Sequence, residues 1–226
     1  MTDLRLVILD VDGTLIDSQD HIVSSMEVAF AANALTPPPR DRIRSVVGLS
    51  LPVAMGVLAT DHPDRADALV EAYKHAFSTL RDRFDGMVLS PLFPGVRATL
   101  DALVADDCTL LAVATGKSRR GMDHILDLHG LRGVLASVQV ADDHASKPHP
   151  SMIEACLRET GIDRARAVML GDTSFDMEMA RNAGVAALGV SWGYHPIDRL
   201  RAAGAIDVLD RFSDLPAALD RICPAS

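Results

Sequence analysis

Two patterns alternate along this chain, and the alternation restricts the fold more than any other feature. Short, almost wholly apolar runs occupy residues 4–9 (LRLVIL), 108–114 (CTLLAVA), 137–140, 167–170 (AVML) and 185–190, with a weaker one at 206–209. Each lacks the polar alternation of a half-exposed strand, so each reads as a strand buried on both faces. Segments of helical period lie between them. Val96, Leu100, Leu103 and Val104 share a face, as do Met122, Ile125, Leu126 and Leu128, and likewise Ile153, Ala155, Cys156 and Leu157. Buried strands alternating with helices predict an α/β fold built on a parallel sheet. The fixed hand of the crossovers places all strand carboxyl ends on one edge, where ligands bind in such sheets.

The alternation fails once. Residues 15–87 carry only helical patterns: Ile22, Met26, Ala29 and Phe30 on one face, a break at Pro37, Pro38 and Pro39, then helical pieces at 43–47, 53–58 and 69–80. This predicts two units. Residues 1–14 and 88–226 form the sheet core, and 15–87 form an inserted helical unit, with hinges near 15–20 and 87–93.

Composition narrows the function. The chain has 226 residues, 48% hydrophobic and 23% charged, enough to bury a core unaided. A net charge of −9 and few aromatics argue against nucleic acid as a partner. No apolar stretch approaches a membrane span, and the start of the chain does not read as a signal peptide. The cysteines, Cys108, Cys156 and Cys223, are odd in number and far apart, as expected of reduced thiols in a cytoplasmic protein. Only Lys74, Lys117 and Lys147 of the 22 cations are lysines, so a lysine here is a selective choice.

The carboxylates carry the chemistry. Asp10 and Asp12 directly follow the first apolar run, and Asp172 and Asp176 follow the fourth. An Asp-Gly pair alone is an ordinary turn signal, and an Asp at a helix start is an ordinary cap, a role that Ser174 could fill instead. Four carboxylates at one sheet edge would repel one another unless a cation neutralised them. Oxygen donors without His or Cys favour Mg²⁺. Thr115 and Gly116 end the second strand and could donate to an anion, though a cap by Thr115 or Ser118 explains the same residues. Lys147 lies in the loop after the third strand, where it could hold a phosphate oxygen.

Four motifs, LDVDGTLIDS (9–18), ATGK (114–117), Lys147 in SKPHP (146–150) and GDTSFDMEMARNAG (171–184), resemble in this order those of the haloacid dehalogenase superfamily. The resemblance implies a Rossmann-like core with an inserted helical cap, placed as in the phosphoglycolate phosphatase and β-phosphoglucomutase subgroup. It implies Asp10 as the nucleophile, forming an aspartyl-phosphate, and Asp12 as the general acid and then base. Asp10, Asp12 (through its carbonyl) and Asp172 would hold Mg²⁺, supported by Asp176. Thr115, Gly116 and Lys147 would hold the phosphoryl group, with Lys117 and the cap residues Gly48 and Ser50 also toward substrate. His21, His149 and His195 are further candidates, each as readily structural.

Asp12 distinguishes the chain from the dehalogenases of that superfamily. Lys74, alone in the cap, falls among polar residues and reads as surface rather than as a Schiff-base lysine. The expected activity is therefore Mg²⁺-dependent hydrolysis of a small phosphorylated metabolite, phosphoglycolate phosphatase-like, a reading that VSWGYHP (190–196) supports. Inorganic pyrophosphate, sugar phosphates and nucleotides are alternative substrates, and a phosphomutase is an alternative reaction. Oligomeric state is left open.

Overall fold

A computed structural model describes residues 4–84 and 86–224. Six strands, β1 (Arg5–Leu9), β2 (Thr109–Thr115), β3 (Ser137–Val140), β4 (Ala167–Gly171), β5 (Ala186–Val190) and β6 (Asp207–Leu209), form one sheet in the order β3-β2-β1-β4-β5-β6. Every pairing is parallel. The chain is an α/β protein with a Rossmann-like sheet. β1 is central, paired on one side with β2 and on the other with β4. That is why its run is apolar without alternation: Leu6 and Ile8 enter one core, Val7 and Leu9 the other.

The first core is covered by α6 (Val96–Val104), α7 (Arg119–Leu128) and α11 (Leu215–Ile222), the second by α8 (Ser151–Thr160), α9 (Ser174–Ala183) and α10 (Ile197–Ala203). The strand order reverses between β1 and β4, so their carboxyl ends open a crevice of the kind where α/β proteins bind ligands. Cys156 and Cys223 are buried and Cys108 is half-buried, all free. Among the described residues, no helix is long and apolar enough to cross a membrane.

Between β1 and α6 the chain is helical: α1 (Gln19–Ala32), α2 (Arg40–Arg44), α3 (Leu51–Leu58), α4 (Ala66–Arg83) and α5 (Gly86–Leu89). These helices bury their own cluster, with Val23, Phe30, Ile43, Met55 and Leu69 at its centre. The three prolines end the extended link before α2, as proline at a helix start allows. Two short segments connect this unit to the sheet and pair with each other. Ile16 bridges antiparallel to Leu92, the Asp17 amide donates to the Pro91 carbonyl at 2.8 Å, and the Phe93 amide donates to the Leu15 carbonyl at 2.9 Å. Leu15 and Ile16 themselves pack into the sheet's first core.

Candidate active site

Asp10, Asp172 and Asp176 converge where β1 and β4 end. One carboxylate oxygen from each lies within 4.8 Å of the others, and all three side chains are buried. The ladder sets this up: β1 and β4 pair in register through Leu9 and Leu170, and the Asp10 amide donates to the Leu170 carbonyl at 2.9 Å. Gly13 turns the chain with φ 85°, and its missing side chain leaves the space that the Asp172 carboxylate occupies.

The oxygens of the three carboxylates are not equivalent. Asp172 accepts from the Thr14 hydroxyl at 3.0 Å and the Tyr194 amide at 2.8 Å. Asp176 accepts from Lys147 at 2.6 Å through one oxygen, and through the other from the Thr173 amide at 3.0 Å and hydroxyl at 2.6 Å. Asp10 has an ion-pair contact to Lys147 at 2.9 Å, but neither of its oxygens receives a well-formed hydrogen bond.

One lysine thus faces three buried carboxylates. Burial raises Asp10 to about 7, against the pull of Lys147 and with the repulsion of Asp176 added. Burial, with Asp10 and Asp176 beside it, also raises Asp172 well above the ordinary carboxylate range. Lys147 is held protonated because the two carboxylates outweigh the cost of burying it. Three buried carboxylates served by one lysine, with oxygen-only donors, fit a hard divalent cation such as Mg²⁺.

Asp12 points elsewhere. Its carboxyl accepts from Ser18 at 2.5 Å and pairs with Lys117 at 2.9 Å, and Lys117 also lies over the Phe77 ring of α4 at 5.5 Å. The Tyr194 hydroxyl extends this chain to Ser18 at 3.3 Å. Thr115 and Gly116 sit at the end of β2, where the Thr115 hydroxyl accepts from the Lys117 amide at 3.2 Å. Ser118 caps α7 by accepting from the Gly121 amide, so Thr115 is not needed as the cap. The loop before α3 closes over this point. A Cβ on Gly116 would lie 2.5 Å from the Gly48 carbonyl oxygen, and the Ser50 amide donates to Ser146 Oγ at 2.9 Å. Gly48 takes φ 98°, which favours glycine.

The remaining candidates separate. His195 is buried, accepts from the Ser174 amide at 3.0 Å, and reaches the Ser45 carbonyl at 3.3 Å; burial and Arg199 lower it to about 4. His21 stacks on Phe77 and approaches its carbonyl at 3.0 Å. His149 is exposed and accepts from the Ser151 amide at 3.3 Å. Lys74 is exposed and paired with Glu71 at 2.7 Å. One expectation is corrected: Ser174 does not cap α9. Thr173 does, with extended φ and ψ, and Asp176 completes a capping box with it, because Ser174 is already the first helical residue. Sequence reasoning also passed over Ser18, Tyr194 and the pair Tyr73 and Phe77. The last two are spaced i, i+4 on α4, which could have marked one face.

The chain is similar to known proteins over nearly its whole length. The sequence profile described as haloacid dehalogenase-like hydrolase matches residues 7–190. A probable phosphatase, IndB, of Dickeya dadantii is 38% identical over 94% of this chain and 92% of its own. A phosphoglycolate phosphatase of Agrobacterium fabrum is 33% identical over 95% and 91%. A hydrolase from Pseudomonas syringae superposes with a TM-score of 0.84 at 25% identity, covering 97% of this chain and 99% of the other.

Proposed function

The chain is a phosphoric monoester hydrolase of the haloacid dehalogenase-like family, and from that premise we propose a Mg²⁺-dependent phosphatase that works through an aspartyl-phosphate on Asp10. The observation that carries this reading is the buried Asp10 carboxylate at the end of the central strand, beside Asp172 and Asp176 and with Lys147 as its cation. The metal would be held by Asp10 and Asp172, with the Asp12 carbonyl, and would supply charge neutralisation at the phosphoryl oxygens.

Asp10 attacks phosphorus, an Asp10 oxygen–phosphorus bond forms, and the ester oxygen–phosphorus bond breaks. Asp12, which enters this step protonated and with its ion pair to Lys117 released, gives its proton to the departing ester oxygen. In the second step Asp12 takes a proton from water as the water oxygen bonds to phosphorus and the Asp10–phosphorus link breaks. Ser18 and Lys117 hold the Asp12 carboxyl in place between the steps. Lys147 holds Asp10, and Thr115 with the Gly116 amide binds the transferring group. Asp176 acts through Lys147 and the start of α9. The helical unit over the site acts as a cap that limits water entry in the first step. The substrate is a small phosphorylated metabolite, a reading supported by the likeness to a protein named phosphoglycolate phosphatase.

Phosphate release should require Mg²⁺ and stop in chelator. Mg²⁺ should also raise the Tm of the wild type, a shift that Asp172→Asn should lose. Asp10→Asn should lower turnover by about a thousandfold or more while folding normally. Full release in chelator, or activity near wild type in Asp10→Asn, would overturn the proposal.

A further inference from the structure

Above Asp10 and Asp12 lies a cavity of about 660 Å³, enclosed mainly by the helical unit. Its far wall is apolar: Ile22 and Met26 of α1, Ile43 of α2, Leu51 at the start of α3, and Tyr73 and Phe77 of α4. The two rings lie 5.7 Å apart. Resting on the phosphatase reading above, we infer that the substrate is the phosphate ester of a ring-bearing, largely apolar alcohol, seated between this wall and Asp10, rather than a two-carbon acid phosphate.

The volume belongs to the docked arrangement. The loop before α3 already touches Gly116 and Ser146, and His195 already reaches Ser45, so the space is not produced by a raised cap. It falls within the range of about 300–1,000 Å³ for pockets that enclose drug-sized ligands. A substrate that left most of it filled with water would forgo the apolar contact that the wall offers.

Charge points the same way. A glycolate leaving group carries a carboxylate, which is costly to desolvate without a cation of its own. The lysines at the reacting carboxylates are committed, Lys147 to Asp10 and Asp176, and Lys117 to Asp12. Lys74 is paired with Glu71, while Arg81, which also lines the cavity, makes only a 3.5 Å contact with the exposed Asp82 and is the wall's less committed cation. Arg120 has no partner among the described residues, but it is exposed at the rim. The Tyr73 hydroxyl, in contrast, makes no hydrogen bond among the described residues, and burial beside Asp12 keeps it a neutral phenol. It offers a ring face and one polar contact to a ring that bears a hydroxyl or carbonyl.

The test holds the leaving group's chemistry constant. Phosphate release with Mg²⁺ is compared for ethyl phosphate, 2-phosphoglycolate, benzyl phosphate and 2-naphthylmethyl phosphate, all esters of primary alcohols. Release from p-nitrophenyl phosphate serves as the check on phosphatase activity. The ring esters should exceed ethyl phosphate and 2-phosphoglycolate in kcat/KM by about tenfold or more, chiefly through KM. Tyr73→Ala and Ala54→Phe, one opening the wall and one filling the cavity, should each shrink that ratio. The ratio is read within each variant, so a change in general activity does not enter it. 2-Phosphoglycolate as the best substrate, a flat series, or a ratio unmoved in both folded variants would overturn the inference and leave the phosphatase reading standing. No release from any ester, p-nitrophenyl phosphate included, would overturn both.

Discussion

At the scale of single residues, the site is a problem of charge. Asp10, Asp172 and Asp176 are buried together, and Lys147, itself without solvent exposure, is the cation among them. Surface ion pairs contribute little, but a buried pair that loses one partner leaves a charge stranded. Lys147→Met should therefore destabilise the metal-free protein by about 3–5 kcal/mol, read from denaturant unfolding in chelator. A loss below about 1 kcal/mol would mean that the pair behaves as a solvated one. The type and spacing of these residues were legible in sequence. Their division of labour was not. Asp176 was read only as a support for the metal, and how it acts came from the fold: its oxygens are taken by Lys147 and Thr173, contacts set by the loop before α8 against the start of α9.

At the scale of elements, each strand followed from its apolar run, because a strand covered on both faces cannot admit polar residues. Helix starts were harder to read. Thr173 and Ser174 are chemically equivalent caps, and only backbone conformation selects between them. The meeting of β2 with the loop before α3 was likewise invisible, since Gly48 and Gly116 are far apart in sequence and each alone reads as a turn. Their contact is testable. Gly116→Ala puts a methyl 2.5 Å from the Gly48 carbonyl and 2.8 Å from that of Leu49, both backbone atoms that must shift. We expect kcat/KM to fall about a hundredfold from misplaced reacting groups, with little change in Tm because neither apolar core is touched. Unchanged kinetics would show that the loop yields without cost to the site.

At the scale of the whole molecule, the sheet with its two apolar cores meets the helical unit with its own cluster across a polar seam, and buried histidines lie along it. His21 donates to the Phe77 carbonyl through Nε2 at 3.0 Å, while its Nδ1 is buried without a partner among the described residues. Burial lowers it from 6.5 to about 4. Its folded pKa lies below the unfolded one, so the unfolded chain binds the proton first as pH falls. The stability it contributes is whole above 6.5 and is lost as pH falls toward about 4. The raised carboxylates Asp10 and Asp172 act with the opposite sign in metal-free protein, gaining stability on acidification. The difference in Tm between wild type and His21→Asn isolates the histidine. It should narrow progressively across that interval, and a difference independent of pH would refute the assignment.

Read by itself, the sequence was sufficient for the α/β class, the helical stretch after the first strand, and the place of the aspartates at the ends of two strands. Each of these is a local pattern: an apolar run, a helical period, a carboxylate beside a strand end. Tertiary structure alone decided that Asp172 and Asp176 are taken up by hydroxyl and amide donors while Asp10 faces only Lys147, that Lys117 settles on Asp12 under Phe77, and that an apolar wall faces the reacting carboxylates across a cavity. Those outcomes depend on which distant segments pack together, and on what charge and volume remain between them once both cores are filled. Neither quantity belongs to any stretch of chain taken alone.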